Sequence, residues 1–122
     1  MLMARDDKTR AVDRAFADDR LDGARAFLQQ AEISLQLVDG PGRNATVVSS
    51  AVLAGIAACD AACALALGRV SAGAHDQAVK VLQGVSGSTK AVADLSRLLN
   101  IKTTSQYAAK STFDRLTELS CT

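Results

Sequence analysis

Three residues in the middle of the 122-residue chain have side chains suited to chemistry: Asp60, Arg69 and His75, within the run GIAACDAACALALGRVSAGAH. An arginine fork holds two phosphate oxygens and opposes the charge that develops during phosphoryl transfer. A histidine titrates near neutrality, so it can take a proton from a ribose 2′-hydroxyl and return one to the departing 5′-oxygen. Together, Arg69 and His75 are candidate catalytic residues for metal-independent transesterification within an RNA strand. DNA lacks the 2′-hydroxyl and would resist that route. His75 is the only histidine, so one chain cannot supply both acid and base, whereas a symmetric dimer could supply two such pairs. The plainer alternative makes Arg69 a solvated charge at a helix C-terminus and His75 a first-turn surface or packing residue. Asp60 is the only charged residue between Asn44 and Leu67, and a carboxylate in so apolar a run needs a partner. It is expected to be a satisfied structural group, with orienting a site residue or a plain exposed position as the alternatives, and with Lys102, Arg97 or His75 from another helix as partner candidates.

Other residues are weaker candidates. Lys90, Arg97, Lys102 and Lys110 would attract a nucleic-acid backbone if they converged, and Tyr107 could stack on a base or pack across a helix contact. Residues 69–110 carry six basic and two acidic side chains, against five and six in residues 1–22. The net charge of +1 excludes the broad excess of a histone-like binder. Cys59, Cys63 and Cys121, with one histidine, have no structural zinc spacing. No metal and no cofactor is expected, and two small buried thiols in a reducing cytoplasm are the expected role of Cys59 and Cys63. The stretch GVSGSTK lacks both the glycine spacing and the preceding strand of a phosphate loop.

The elements that must position these residues read as helices. Residues 1–19 alternate charges with few large apolar groups, as an extension or the solvated start of helix one. From Arg20, the residues Ala24, Phe27, Leu28, Ala31, Leu35 and Val38 line one stripe at helical spacing. DGPGRN ends that helix. Asn44 or Thr46 can cap the next, which runs to about Gly68 with Val48, Val52, Ile56, Cys59, Cys63 and Ala66 in one band, widened by Leu53, Leu65 and Leu67. SAGAH breaks the pattern before a short helix that turns Ala78, Val81 and Leu82 inward. Ser88 or Thr89 can cap a helix through Val92, Leu95, Leu98 and Leu99, and Phe113, Leu116 and Leu119 suggest a last one. No run alternates with a period of two. The predicted fold is all-α, an up-and-down bundle of four to five helices in one domain over residues 20–122. Ala51–Leu67 is apolar, but Gly55 and Asp60 interrupt it and eight alanines give little lipid-facing surface, so it is expected to be a core helix rather than a membrane span. With no signal-like start, the expected location is the cytoplasm. The core is thin, since hydrophobic residues make up 48% of the chain but include no Trp, one Tyr and three Phe. Burying one more helical face in a partner would help such a chain.

AVLAGIAACDAACALALGR, the turn with HDQAV, and LSRLLNIKTTSQY resemble the HEPN superfamily, the higher-eukaryote and prokaryote nucleotide-binding domain, over about residues 20–119. RVSAGAH matches its motif of an arginine, four to six residues and a histidine through Arg69 and His75. The resemblance implies a HEPN-like helical bundle that dimerises. It also implies a metal-independent endoribonuclease of the toxin type, with RNA as substrate and a nucleotidyltransferase-type antitoxin as partner. Two positions depart from the active pattern. Val70 stands where active members usually carry a polar residue, and HDQ supplies no tyrosine after the histidine. A noncatalytic dimerisation or protein-interaction module is therefore the alternative.

Overall fold

The computed structural model describes residues 9–73 and 75–101, with His75 and Asp76 described by backbone alone. Among the described residues the architecture is a bundle of four helices, as the helical periodicities predict, with one short antiparallel ribbon at its end. In chain order these are β1 (Thr9–Ala11), α1 (Arg14–Leu37), α2 (Gly42–Leu67), β2 (Arg69–Ser71), α3 (His75–Leu82) and α4 (89–101).

Helix α1 begins at Arg14, six residues ahead of the point where its apolar stripe sharpens, because Asp13 caps it. The Asp13 carboxylate accepts the Phe16 amide at 2.9 Å, satisfying one of the donors that a helix start leaves open. At the other end the Val38 amide closes onto the Ser34 carbonyl, and the Leu35 carbonyl receives the Arg43 guanidinium. No basic residue lies in the last turn of α1 itself, so Arg43, arriving from the start of α2, supplies the positive charge that a helix C-terminus favours.

Helix α2 starts at Gly42, earlier than a cap at Asn44 or Thr46 would place it. Pro41, with φ −66°, already has the helical backbone angle, and the Thr46 hydroxyl donates back to the Gly42 carbonyl at 3.0 Å rather than capping. The helix ends at Gly68, whose φ of +68° is the left-handed turn that glycine adopts without strain.

The two long helices run antiparallel, as the contacts of Arg20 with Asp60 and of Arg43 with Leu35 require. Small residues make the close approach possible. On α1 the buried positions are Ala17, Ala24, Ala31 and Ser34, while α2 buries Ser50, Ala54, Ala57, Ala61 and Ala64 at alternating spacings of four and three. A second buried face of α2, made of Val52, Ile56, Cys59 and Cys63, lies around the helix from the first. Cys59 and Cys63 share a core cluster with Val70, Ala78, Leu82 and Leu95. Helix α4 crosses α2 at Gly55, where a Cβ would stand 3.2 Å from Leu98 Cδ1 and 3.5 Å from Leu95 Cδ1.

Several large residues assigned inward by periodicity stand outward instead. Leu28 and Leu35 on α1 are about half exposed, at 52% and 49%, and Leu53, Leu65 and Leu67 on α2 are also exposed. Alanine rows bring the helix axes together, and the leucines one step around each helix are left at the margin. Ala66 is exposed as well.

The ribbon is the other departure. Thr9 pairs with Ser71, Arg10 with Val70 and Ala11 with Arg69, and the Val12 amide closes the ribbon onto the Gly68 carbonyl at 3.0 Å. Three residues per strand are too few to show an alternation in sequence, so both strands escape a periodicity reading. The predicted helix through Phe113, Leu116 and Leu119 lies outside the described residues.

Candidate functional site

Arg69 opens β2 immediately after the left-handed turn at Gly68, and His75 is the first residue of α3. Alternation along β2 turns Val70 into the core, where it is 1% exposed, and leaves Arg69 at the surface. Arg69 is thus a strand residue rather than the charged end of a helix. Its Nε donates to Thr9 Oγ1 at 2.8 Å and its Nη2 to the Thr9 carbonyl at 3.3 Å, so the guanidinium braces the neighbouring strand. Val70, which departs from the polar residue of active motifs, has a structural reason to be apolar: it belongs to the cluster formed with Cys63, Ala78 and Leu82. Only the backbone of His75 is described, so its imidazole lies outside the described part of the site, as do Lys102, Tyr107 and Lys110 entirely.

Asp60 is held by a residue that spacing along the sequence does not reveal. Its carboxylate meets the Arg20 Nη2 at 3.1 Å, with the side chains 18% and 32% exposed respectively. The pair ties the middle of α2 to the N-terminal half of α1, and Arg20 is a cation that the candidates Lys102, Arg97 and His75 did not include, the Lys102 and His75 side chains lying outside the described residues. Arg20 Nε is buried without a hydrogen-bond partner among the described residues. Asp60 is therefore placed at the α1–α2 interface.

The other basic candidates are drawn to one carboxylate. Lys90 and Arg97, both on α4, approach Asp94 at 3.3 and 3.4 Å and are well exposed. That is ordinary helix-surface pairing, contributing a few tenths of a kcal/mol each. A hollow of about 420 Å³ lies along the ribbon edge, lined by Arg10, Ala11, Val12, Asp13 and Phe16, with the Arg10 guanidinium 5.0 Å from the Phe16 ring centroid. Arg69 does not line it. Among the described residues, no three His, Cys, Asp or Glu side chains gather as metal ligands.

Two features that the motif reading passes over complete the inventory. Cys59 and Cys63 are both free and buried, and Cys59 Sγ lies 3.6 Å from the Ala78 carbonyl. The neighbouring Cys63, burial and the Asp60 charge push the Cys59 thiol far above its ordinary range. Interaction with the Cys59 thiol, against burial and Asp60, draws the Cys63 thiol below its ordinary range. The second feature is the line of exposed leucines on the long helices. Helix α2 is also long and apolar enough to cross a membrane by length and composition alone.

Compared with known proteins, the chain matches no family model, no curated protein and no solved structure.

Proposed function

We propose that this chain is a noncatalytic helical association module whose partner is a second copy of itself, docked along α1. The observation that carries this reading is the row Leu21, Leu28 and Leu35, spaced by seven beside the buried row Ala17, Ala24 and Ala31. Two rows in that register make a helix seam of which α2 covers only the alanine side. Leu28 and Leu35, each about half exposed, are the groups a second helix would cover. Charge favours a second copy running antiparallel. Arg25 and Glu32 flank Leu28 on the outer side of the row, so an antiparallel pair centred near Leu28 sets Arg25 of each copy opposite Glu32 of the other. Such a symmetric arrangement closes on itself and satisfies both charges twice.

Solution mass tests the reading. Light scattering behind gel filtration at tens of micromolar should give twice the chain mass of 12.7 kDa, and L28E/L35E should return the chain to its single mass with its helical circular dichroism intact. A single-mass wild-type chain overturns the reading. So does partition of the chain into lipid vesicles with no dimer in buffer, because the leucines would then be facing lipid.

A second reading, an RNA-directed HEPN-like endoribonuclease of the cytoplasm, is favoured by one observation: exposed Arg69 and the start of α3 flank the same short connection. In that reading Arg69 binds the scissile phosphate, His75 exchanges protons, and a nucleotidyltransferase-type protein serves as antitoxin. The Thr9 brace would hold the guanidinium in one orientation. RNA cleavage in EDTA, abolished by H75A and by R69A, is its expected signature. Absence of cleavage, or cleavage indifferent to H75A, removes it.

A further inference from the structure

Cys59 and Cys63 stand one helical turn apart on the face of α2 that meets α3 and α4, and they are 4% and 1% exposed. A cavity of about 230 Å³ lies against this face. Its wall includes Gly55, Ala58, Cys59, Leu82, Leu95 and Leu98. The absent side chain at Gly55 contributes to that space, since a Cβ there would already press on Leu98. The cavity thus reaches one thiol directly, and the second lies a turn further along the same helix.

Geometry restricts what two such thiols can do. Residues four apart on a helix have Cβ atoms about 5–6 Å apart, whereas a disulfide needs roughly 3.5–4.5 Å. Direct oxidation would have to deform α2, but a third atom between the sulfurs spans the gap with the helix unchanged. Zinc is disfavoured because it takes four ligands in a structural site, or three and a water in a catalytic one. No third ligand joins these two among the described residues. Thiolates select soft ions, and burial penalises any product left with a net charge. A monovalent soft ion on two thiolates leaves one negative charge beside the Asp60 carboxylate. A divalent soft ion on two thiolates leaves none.

We propose that Cys59 and Cys63 form a two-thiolate site for one soft divalent ion of the mercuric class, reached through the cavity between α2, α3 and α4. The step is a substitution without redox change. Two S–H bonds and the ion's bonds to its water or chloride ligands break, two sulfur–metal bonds form, and two protons and the displaced ligands leave to solvent for each ion bound. Each thiol gives up its proton as the metal arrives, that of Cys59 leaving its contact with the Ala78 carbonyl.

The test uses the full chain with Cys121 replaced by alanine, titrated with mercuric chloride alone for the proton count and against a competing monothiol for affinity. One ion per chain should survive gel filtration, with two protons released, a new near-ultraviolet sulfur-to-metal band, and helical circular dichroism unchanged. C59A and C63A on that background should each lower the apparent affinity by about 100-fold, the gain that joining two ligands on one scaffold confers. Three outcomes overturn the proposal. They are retention of the ion by the chain lacking both Cys59 and Cys63, release of a single proton, and binding only with loss of helicity. The last two are read on the Cys121→Ala chain itself, so they hold even if a core cysteine variant fails to fold.

Discussion

The Arg20–Asp60 pair shows how a charged residue can sit in the apolar middle of a helix. At 3.1 Å and partly buried, it is neither a surface pair of negligible weight nor a fully dry one. Asp60→Ala leaves the Arg20 guanidinium against alanine-lined helix surface and is expected to cost about 1–3 kcal/mol. That is below the full penalty for orphaning a buried charge, because about a third of Arg20 stays in water. Arg20→Met combined with Asp60→Ala should recover part of the loss, since the guanidinium is then no longer left without its carboxylate. Urea unfolding of the two single variants and the double variant measures this, and additive losses would mean that the two groups do not depend on each other. The sequence shows that Asp60 needs a partner, but Arg20 lies forty residues away on α1, and only the register of the helix pair brings it there. The same limit applies to Arg69. Its residue type is visible in the chain, whereas its Thr9 acceptor comes from a segment whose only sequence mark is alternating charge.

At the scale of elements, the boundaries rest on a few residues that periodicity does not register. Gly68 is the clearest. It ends α2 in the left-handed conformation, its amide reaches the Ala64 carbonyl at 3.0 Å, and its own carbonyl accepts the Val12 amide that closes the ribbon. A Cβ there would meet no atom within 4 Å, so Gly68→Ala is penalised by backbone conformation alone, by about 1–2 kcal/mol. The variant should lower the unfolding midpoint while leaving solution mass unaltered, because α1 is untouched. A change in mass would tie the ribbon to association. The helices themselves are legible: the stop at DGPGRN, the break at SAGAH and the start after Ser88 all fall within a few residues of observed boundaries. What escapes is rotation about each helix axis. Ala24 and Leu28 both fit one apolar stripe, but alanine permits the closer helix approach and so takes the interface, leaving Leu28 at its edge.

For the whole molecule, that rotation determines where unspent apolar surface lies. An alanine-lined interface buries few large side chains, and among the described residues Val52, Val70, Cys63 and Ser34 are the largest that are fully sealed. The leucines that would strengthen a larger core instead flank α1, next to Arg25 and Glu32. In an antiparallel pair of α1 helices each Arg25 faces a Glu32, so Arg25→Glu sets two like-charged contacts into the interface. Rim pairs of this kind are worth about 0.5–1 kcal/mol each, and replacing attraction with repulsion at two symmetric positions should weaken dimerisation by about tenfold to a hundredfold. Arg25 also lies 3.9 Å from Asp22 in its own helix, both well exposed, so the single reversal disturbs that contact as well and cannot alone identify the dimer partner. Arg25→Glu with Glu32→Arg restores opposite signs across the two-fold axis but not within the helix. Recovery of affinity in the double variant, measured by sedimentation equilibrium at low salt where screening is weakest, therefore reports the contact between copies. Failure to recover would leave the leucine row facing something other than an antiparallel second α1.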